Sequence, residues 1–158
     1  MNTLVIFFSL SGRTHYEAKR IAEQEKAERY EVYERPARSL LNAYLVGVSQ
    51  ARRHKKVNVE PIAVRPCDYD RVIIMCPVWG GAPAPVFNTI LDEVDEGQSV
   101  EILLTSNSGR VRKPAALKRY VESKGIKVDR LEVIKTIDLK KRDKNRRRKM
   151  QEEAEKQS

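Results

Sequence analysis

The sequence predicts an α/β protein in which a doubly wound parallel sheet carries helices on both faces. The first observation is that the runs 4–8 and 72–76 are apolar throughout, as expected of strands buried on both sides. The second is that apolar residues between such runs recur at helical spacing, so strands and helices alternate along the chain. Right-handed crossovers between parallel strands then place helices on both faces.

Length and charge predict one domain with a charged tail. The 158 residues are enough for a single domain with a real core. The net charge is +9, and residues 140–149 alone contain eight basic residues and one acidic residue. Residues 150–158 hold three Glu and one Lys. We therefore predict a folded domain over residues 1–139 and a basic then acidic tail over 140–158, helical or disordered.

The first half of the chain predicts two strands and two helices. The strand at 4–8 leads through a short loop into a helix whose buried face is formed by Ala18, Ile21 and Ala22. Residues 31–34 predict a short second strand that Pro36 ends. Apolar residues then recur at helical spacing and predict an amphipathic helix that runs to about Arg53. These residues are Leu41, Tyr44, Leu45 and Val48.

The second half predicts three further strands with helices between them. The strands are placed at 72–76, 100–105 and 130–137, and the alternation of apolar and polar residues in the last one is typical of a sheet edge. One intervening helix begins at Pro114, which suits the first helical position. The apolar residues that define the two helices are Phe87, Ile90, Leu91 and Val94, then Leu117, Tyr120 and Val121.

Three unusual loops follow the three most apolar strands. Residues 9–14 are rich in hydroxyls and contain Gly12, and they precede a helix whose first N–H groups have no intrahelical partner. Residues 77–85 contain Trp79, the only tryptophan, followed by two glycines. Residues 106–113 begin with Ser, Asn, Ser and Gly. In a doubly wound sheet, ligands bind where such loops meet, so the sequence predicts an anion site beside an aromatic platform.

Other classes of site have little support in the sequence. Cys67 and Cys76 do not form a disulfide framework, His15 and His54 are isolated, and we predict no metal site. No catalytic acid, base or nucleophile stands out. No apolar run approaches the ~20 residues that cross a bilayer, and the chain enters a strand without a leader, so a cytoplasmic protein is expected.

Three segments together resemble the flavodoxin superfamily, in particular its small flavodoxin family proteins. They are Ser-x-Ser-Gly-x-Thr at 9–14, the block from Asp68 to Val86, and Thr-Ser-Asn-Ser-Gly at 105–109. The similarity covers about residues 3–137. It implies a flavodoxin-like five-stranded parallel sheet in the order 2-1-3-4-5 and FMN as cofactor.

The resemblance also implies which residues bind FMN. The first loop would hold the phosphate, the second would line one side of the isoalloxazine ring and the third the other side. These residues are Ser9, Leu10, Ser11, Gly12, Arg13 and Thr14; Pro77, Val78, Trp79, Gly80 and Gly81; and Ser106, Asn107 and Gly109. Two features depart from the family: the third loop has no tyrosine, and the chain is basic. Arg110, Arg112 and Lys113 follow that loop and oppose the dipole of the next helix.

The resemblance predicts an FMN-binding redox protein. Its role would be electron transfer or a small flavin-dependent reductase, such as an FMN-dependent NAD(P)H:quinone-type oxidoreductase, and its partner a redox protein or a small electron acceptor. An alternative is a basic module that binds nucleic acid or an acidic partner through residues 140–149. A third is a flavodoxin-like scaffold that has lost flavin and serves interaction alone. The oligomeric state is left open.

Overall fold

Strands and helices alternate in the computed structural model, which describes residues 1–136 and 139–157. The strands are β1 (Thr3–Phe7), β2 (Glu28–Glu31), β3 (Arg71–Trp79), β4 (Ala82–Pro83), β5 (Ser99–Ser106) and β6 (Lys127–Lys135). The helices are α1 (Arg13–Glu25), α2 (Leu40–Asn42), a π-helical turn (Ala43–Gly47), α3 (Val48–Arg52), a 3-10 turn (Pro66–Asp68), α4 (Val86–Leu91), α5 (Pro114–Glu122) and α6 (Leu139–Gln157).

The sheet has the predicted topology with one addition. Its order is β2-β1-β3-β5-β6 with every pair parallel, which is the predicted 2-1-3-4-5 when the long strands alone are numbered. The addition is β4, which pairs antiparallel with the end of β3. Gly80 and Gly81, with φ of 59° and 88°, form the two-residue turn between them, a conformation that glycine adopts without strain.

Alternating residues of β1 enter two separate core layers. Leu4 and Ile6 face the layer that is closed by α4 and α5, whereas Val5 and Phe7 face α1. All four side chains are almost completely buried, and burial of each contributes about 1.5–3 kcal/mol. The central position of β1 between β2 and β3 explains why its run of apolar residues is uninterrupted.

The second strand lies earlier than the sequence predicts. β2 spans Glu28–Glu31 rather than 31–34, and it pairs in register with residues 4–7 of β1. The following residues leave the sheet edge, because Glu34 forms an isolated antiparallel bridge with Val59 and the carbonyl of Tyr33 accepts from Glu60 N at 2.8 Å. Val32 and Tyr33 therefore follow β2 and are not part of it. They lead from the sheet edge to the segment at Val59 and Glu60.

The prediction of a buried large-apolar face on the helix at 41–53 is wrong. Leu41, Tyr44 and Leu45 are each at least 65% exposed. The buried positions of this segment are instead Ala43, Gly47 and Ala51, spaced four residues apart. At the middle of these positions, Gly47 lies directly against the ring of Trp79, where a larger side chain does not fit.

The C-terminal part is helical in the described residues. α6 spans Leu139–Gln157, so a helix is one of the two forms predicted for the tail. β6 covers Lys127–Lys135, and the predicted strand end at Ile137 lies outside the described residues. Among the helices of residues 1–136 and 139–157, none combines the length and the apolar character needed to cross a membrane.

Candidate functional site

A cleft of about 190 Å³ lies at the carboxyl edge of the sheet, where β1, β3 and β5 end. It brings together residues from all three loops that the sequence singles out. Nine of the fourteen predicted site residues line it: Leu10, Ser11, Arg13, Thr14, Pro77, Val78, Trp79, Ser106 and Asn107. The cleft therefore lies at the carboxyl edge of the sheet, beside the switch point between β1 and β3, which is where doubly wound folds bind ligands.

The N-terminus of α1 forms one end of the cleft. Gly12 takes the N-cap position with φ of 90°, and no side chain caps the first turn. Gly12 N donates instead to Ser9 Oγ at 3.1 Å, which closes the loop behind the helix start. The first-turn N–H groups lack intrahelical acceptors, and with the exposed hydroxyl of Ser11 they suit an anion.

Two contacts connect the first loop to the third strand and its loop. The hydroxyls of Thr14 and Thr105, both buried, are 2.7 Å apart. One hydroxyl donates to the other, so the pair keeps one proton for a further acceptor. Arg13 donates from its guanidinium to Asn107 Oδ1, which links the two loops across the cleft.

Trp79 forms the aromatic wall of the cleft. It is the last residue of β3 and pairs with Ala82, so the prediction that it lies beyond the strand end is wrong. The side chain is half-buried. Its ring packs edge-on to Phe8 with centroids 5.9 Å apart, and the guanidinium of Arg38 lies 5.5 Å from the ring centroid. The indole is thus held in place by neighbours while it lines the cleft.

Gly47 sets how closely the π-helical turn approaches this ring. A Cβ at Gly47 would lie 2.9 Å from Cζ3 and 3.0 Å from Cε3 of Trp79. The backbone of Gly47 is ordinary right-handed helix (φ −61°), so the glycine is required by space and not by conformation. The sequence pattern misses this residue because a single glycine within a helix carries no sign of what packs on it.

Replacing Gly47 by alanine is expected to displace the indole of Trp79. Overpacking of this kind costs about 1–3 kcal/mol, which exceeds the gain of about 1 kcal/mol in helix propensity. Since Trp79 is the only tryptophan, its emission should shift to longer wavelength as the ring moves toward solvent. Urea denaturation measures the loss of stability, and fluorescence measures the shift of the Trp79 emission. Ser49→Ala, an exposed position of α3, is the control, and equal behaviour of the two variants would contradict this packing.

Five predicted site residues do not line the cleft. Gly80 and Gly81 form the hairpin turn and line a neighbouring cavity. Their carbonyls already have donors, Arg52 Nε at 2.8 Å and Arg112 N at 2.7 Å. Ser9 and Gly12 shape the first loop from behind, as described above. A Cβ at Gly109 would be 3.3 Å from that of Lys135, which places Gly109 against the end of β6.

The cleft also contains residues that the sequence does not single out. These are Leu40, Thr105 and Thr136. Thr105 ends an apolar strand, and Thr136 follows β6, whose end comes beside the third loop because Thr136 N donates to the carbonyl of Ser106 at 2.9 Å. Leu40 is the first residue of α2. Within the part of the chain that the structure describes, no three His, Cys, Asp or Glu residues are grouped as metal ligands.

Comparisons with known proteins support the fold. No protein-family model and no curated protein sequence matches the chain. The structure is similar to a flavoprotein from Lactobacillus acidophilus NCFM in complex with FMN, with a TM-score of 0.66 and 24% identity over 84% of this chain and 92% of that one. A protein from Bacteroides uniformis ATCC 8492 that is described as a putative flavoprotein has a TM-score of 0.69 and 22% identity, over 84% of this chain and 90% of the other.

A further similar structure is a true flavodoxin. The two-electron reduced flavodoxin from Megasphaera elsdenii has a TM-score of 0.52 and 15% identity, over 87% of this chain and 89% of that one. Together with the strand order, these similarities establish that the chain has a flavodoxin-like fold.

Proposed function

We propose that the flavodoxin-like chain binds FMN in the cleft and acts as a redox protein. The observation that carries the proposal is the meeting of an uncapped helix N-terminus and an aromatic wall in one cleft at the switch point of the sheet. The similarity to a flavoprotein in complex with FMN supports it. The predicted site residues remain predictions, and the experiments below test them.

The chemistry of the cleft fits the two ends of FMN. A phosphate suits the first-turn amides of α1, the hydroxyl of Ser11 and the guanidinium of Arg13, which would exchange its bond to the neutral amide of Asn107 for an ion pair with the phosphate. A planar ring suits the wall of Pro77, Val78 and Trp79. The cleft therefore offers hydrogen-bond donors to the phosphate at one end and a flat apolar surface to the ring at the other.

Each group of residues has a separate task in this proposal. The first loop binds the phosphate and fixes the position of the cofactor along the sheet edge. Trp79 orients the ring and excludes water from one side, and Asn107 offers an amide to the other side. Bound FMN supplies reversible transfer of one or two electrons, so the chain needs no acid or base of its own. We propose electron transfer, or reduction of a small acceptor, as the resulting activity.

The test is an equilibrium titration of the purified chain with FMN and with riboflavin. We expect saturable quenching of both the flavin and the Trp79 fluorescence by FMN. Riboflavin, which lacks the phosphate, should bind at least about 10-fold more weakly, since charge-assisted hydrogen bonds contribute about 1.5–3 kcal/mol. Absence of FMN binding, or equal affinity for the two flavins, would contradict the proposal. Oxidation of NAD(P)H with FMN and a quinone present then separates a reductase from a carrier.

A second candidate function rests on the charge order of α6. The basic run 140–149 lies in its first half and the glutamates in its second, opposite to the order that the helix dipole favours. Side chains of this helix that the structure describes, such as Lys144, Arg147 and Arg148, are exposed. We propose that the basic half binds nucleic acid or an acidic partner protein. Retardation of DNA by the full chain, lost with high salt and on removal of residues 139–158, tests the nucleic-acid form.

A further inference from the structure

A second cavity, of about 250 Å³, lies on the other side of the Gly80–Gly81 turn from the FMN cleft. It is enclosed by the end of α3, the β3–β4 hairpin and the first turn of α5. Four of its lining side chains are basic or titrate to a cation: Arg52, His54, Arg112 and Lys113. None of the residues that line it is Asp or Glu.

The three permanent cations of this cavity lie at the surface without an ion-pair partner among the described residues. Within residues 1–136 and 139–157, Arg52, Arg112 and Lys113 are all exposed and take part in no ion pair. Arg52 is held at the cavity by its Nε, which donates to the carbonyl of Gly80 at 2.8 Å. Three cations gathered around a concave space raise its potential and attract an anion.

The start of α5 adds to this positive potential. Lys113 occupies the N-cap position, where Ser, Thr, Asp or Asn is usual, and no side chain caps the helix. A cation here opposes the helix dipole, and the backbone of Lys113 takes a left-handed conformation with φ of 47°. Pro114 has no N–H and Ala116 N donates to the carbonyl of Lys113 at 3.0 Å, so the amide that a bound anion could satisfy in this turn is that of Ala115. The anion would also offset the repulsion among the cations. The same residues that destabilise the free protein would then stabilise the complex.

The remaining lining residues define the rest of the ligand. Ala82, Pro83, Ala116 and Leu117 form an apolar floor beneath the cationic side chains. His54 is held at the edge by stacking on Tyr120, with ring centroids 3.9 Å apart. Burial, with the charge of Lys124, lowers the His54 pKa, so near neutral pH this ring is an uncharged hydrogen-bonding group. The cavity thus suits a compact apolar body that carries one anionic group.

We propose that this cavity binds the phosphate or carboxylate group of a small organic anion, at a site separate from the FMN cleft. Arg112 and Lys113 bind the anionic group together with the amide of Ala115, Arg52 orients it, and Leu117 packs against the organic part. The proposal rests on this cavity alone and holds whether or not FMN binds the cleft.

The experiment uses the full chain and records the amide NMR resonances during titration with phenyl phosphate, inorganic phosphate and benzoate. We expect saturable shifts centred on the amides of Gly81, Lys113, Ala115 and Ala116, with phenyl phosphate binding more tightly than inorganic phosphate because its ring meets the apolar floor. Comparison of phenyl phosphate with benzoate identifies which anionic group is preferred. Lys113→Gln should weaken binding by about 10-fold or more, since it removes a charge-assisted contact.

The matched control is Lys118→Gln, which lies on the same helix but outside the cavity and faces Glu122. It should leave the affinity for phenyl phosphate within about 2-fold, as expected for an exposed pair. Repeating the titration with saturating FMN separates the two sites, since independent binding is expected. Three results would overturn the proposal: shifts that do not saturate, equal loss of affinity in the two variants, or displacement of phenyl phosphate by FMN.

Discussion

Replacing Glu34 by glutamine is expected to lower the free energy of unfolding by about 3 kcal/mol or more. The carboxylate of Glu34 and the guanidinium of Arg38 are each only 7% exposed, and they form a two-pronged pair with N–O distances of 2.6 and 3.1 Å. Glutamine keeps the shape but leaves the Arg38 charge buried without its counter-ion. Denaturation by urea, followed by circular dichroism, measures the loss.

This pair also supports the candidate site. Arg38 donates further to Asn42 and Gln50, and it lies over the ring of Trp79. We therefore expect Glu34→Gln to change the emission of Trp79 even in the fraction that stays folded. Glu132→Gln breaks an exposed pair with Arg130 and should cost less than about 1 kcal/mol. Equal stability of the two variants would show that burial of the Glu34–Arg38 pair does not affect the free energy of unfolding.

If both charges are removed together, most of the stability should return. A double variant, Glu34→Leu with Arg38→Met, has no uncompensated charge, and replacement of buried pairs by apolar residues is often neutral. A double variant as unstable as Glu34→Gln would contradict the explanation by charge. The result would then point to the hydrogen bonds of Arg38 with its other partners.

Replacing Ser11 by aspartate is expected to abolish tight FMN binding without harming the fold. The new carboxylate would stand at the phosphate end of the cleft. Two like charges about 4 Å apart repel by about 4 kcal/mol in a protein-surface environment, enough to weaken FMN by at least about 100-fold. Fluorescence titration measures this affinity. Near a helix N-terminus a carboxylate is stabilising by about 0.3–1 kcal/mol, so the free energy of unfolding should stay equal or rise.

Riboflavin and asparagine provide the controls for this variant. Riboflavin has no phosphate, so Ser11→Asp should change its affinity by less than about 3-fold. Ser11→Asn carries no charge and should bind FMN within about 10-fold of the unmodified chain. If Ser11→Asp binds FMN as well as the unmodified chain does, the phosphate lies elsewhere and the assignment of the first loop is wrong.

The sequence predicts those parts of the fold whose signal is local. The runs 4–8 and 72–76 are apolar throughout, and 100–105 is apolar except at Glu101 and Thr105, as expected of strands covered on both faces, so their place at the centre of the sheet follows. The loop at 9–14 before α1 can also be predicted from the sequence, because an anion site at a helix start is built from small and hydroxyl residues that are adjacent in the chain.

What the sequence could not predict depends on contacts between distant segments. The inward position of Gly47 depends on the ring of Trp79 that lies against it, whereas the sequence pattern predicts the larger apolar residues of that segment as the buried face. The resemblance implies that Gly80 and Gly81 line the isoalloxazine ring, and the sequence carries no sign that they also form the turn from β3 to β4. The basic cavity joins α3 to α5, residues about 60 apart, and no local pattern reveals it.

The most direct test of the central claim is to follow the backbone amide resonances of the full chain during titration with FMN. If FMN binds where the three loops meet, the amides of residues 11–15, 78–79 and 105–107 should shift together with a single dissociation constant. Riboflavin should shift the last two groups but not the first. Shifts confined to one loop, or centred on residues 113–116 or on α6, would contradict the account.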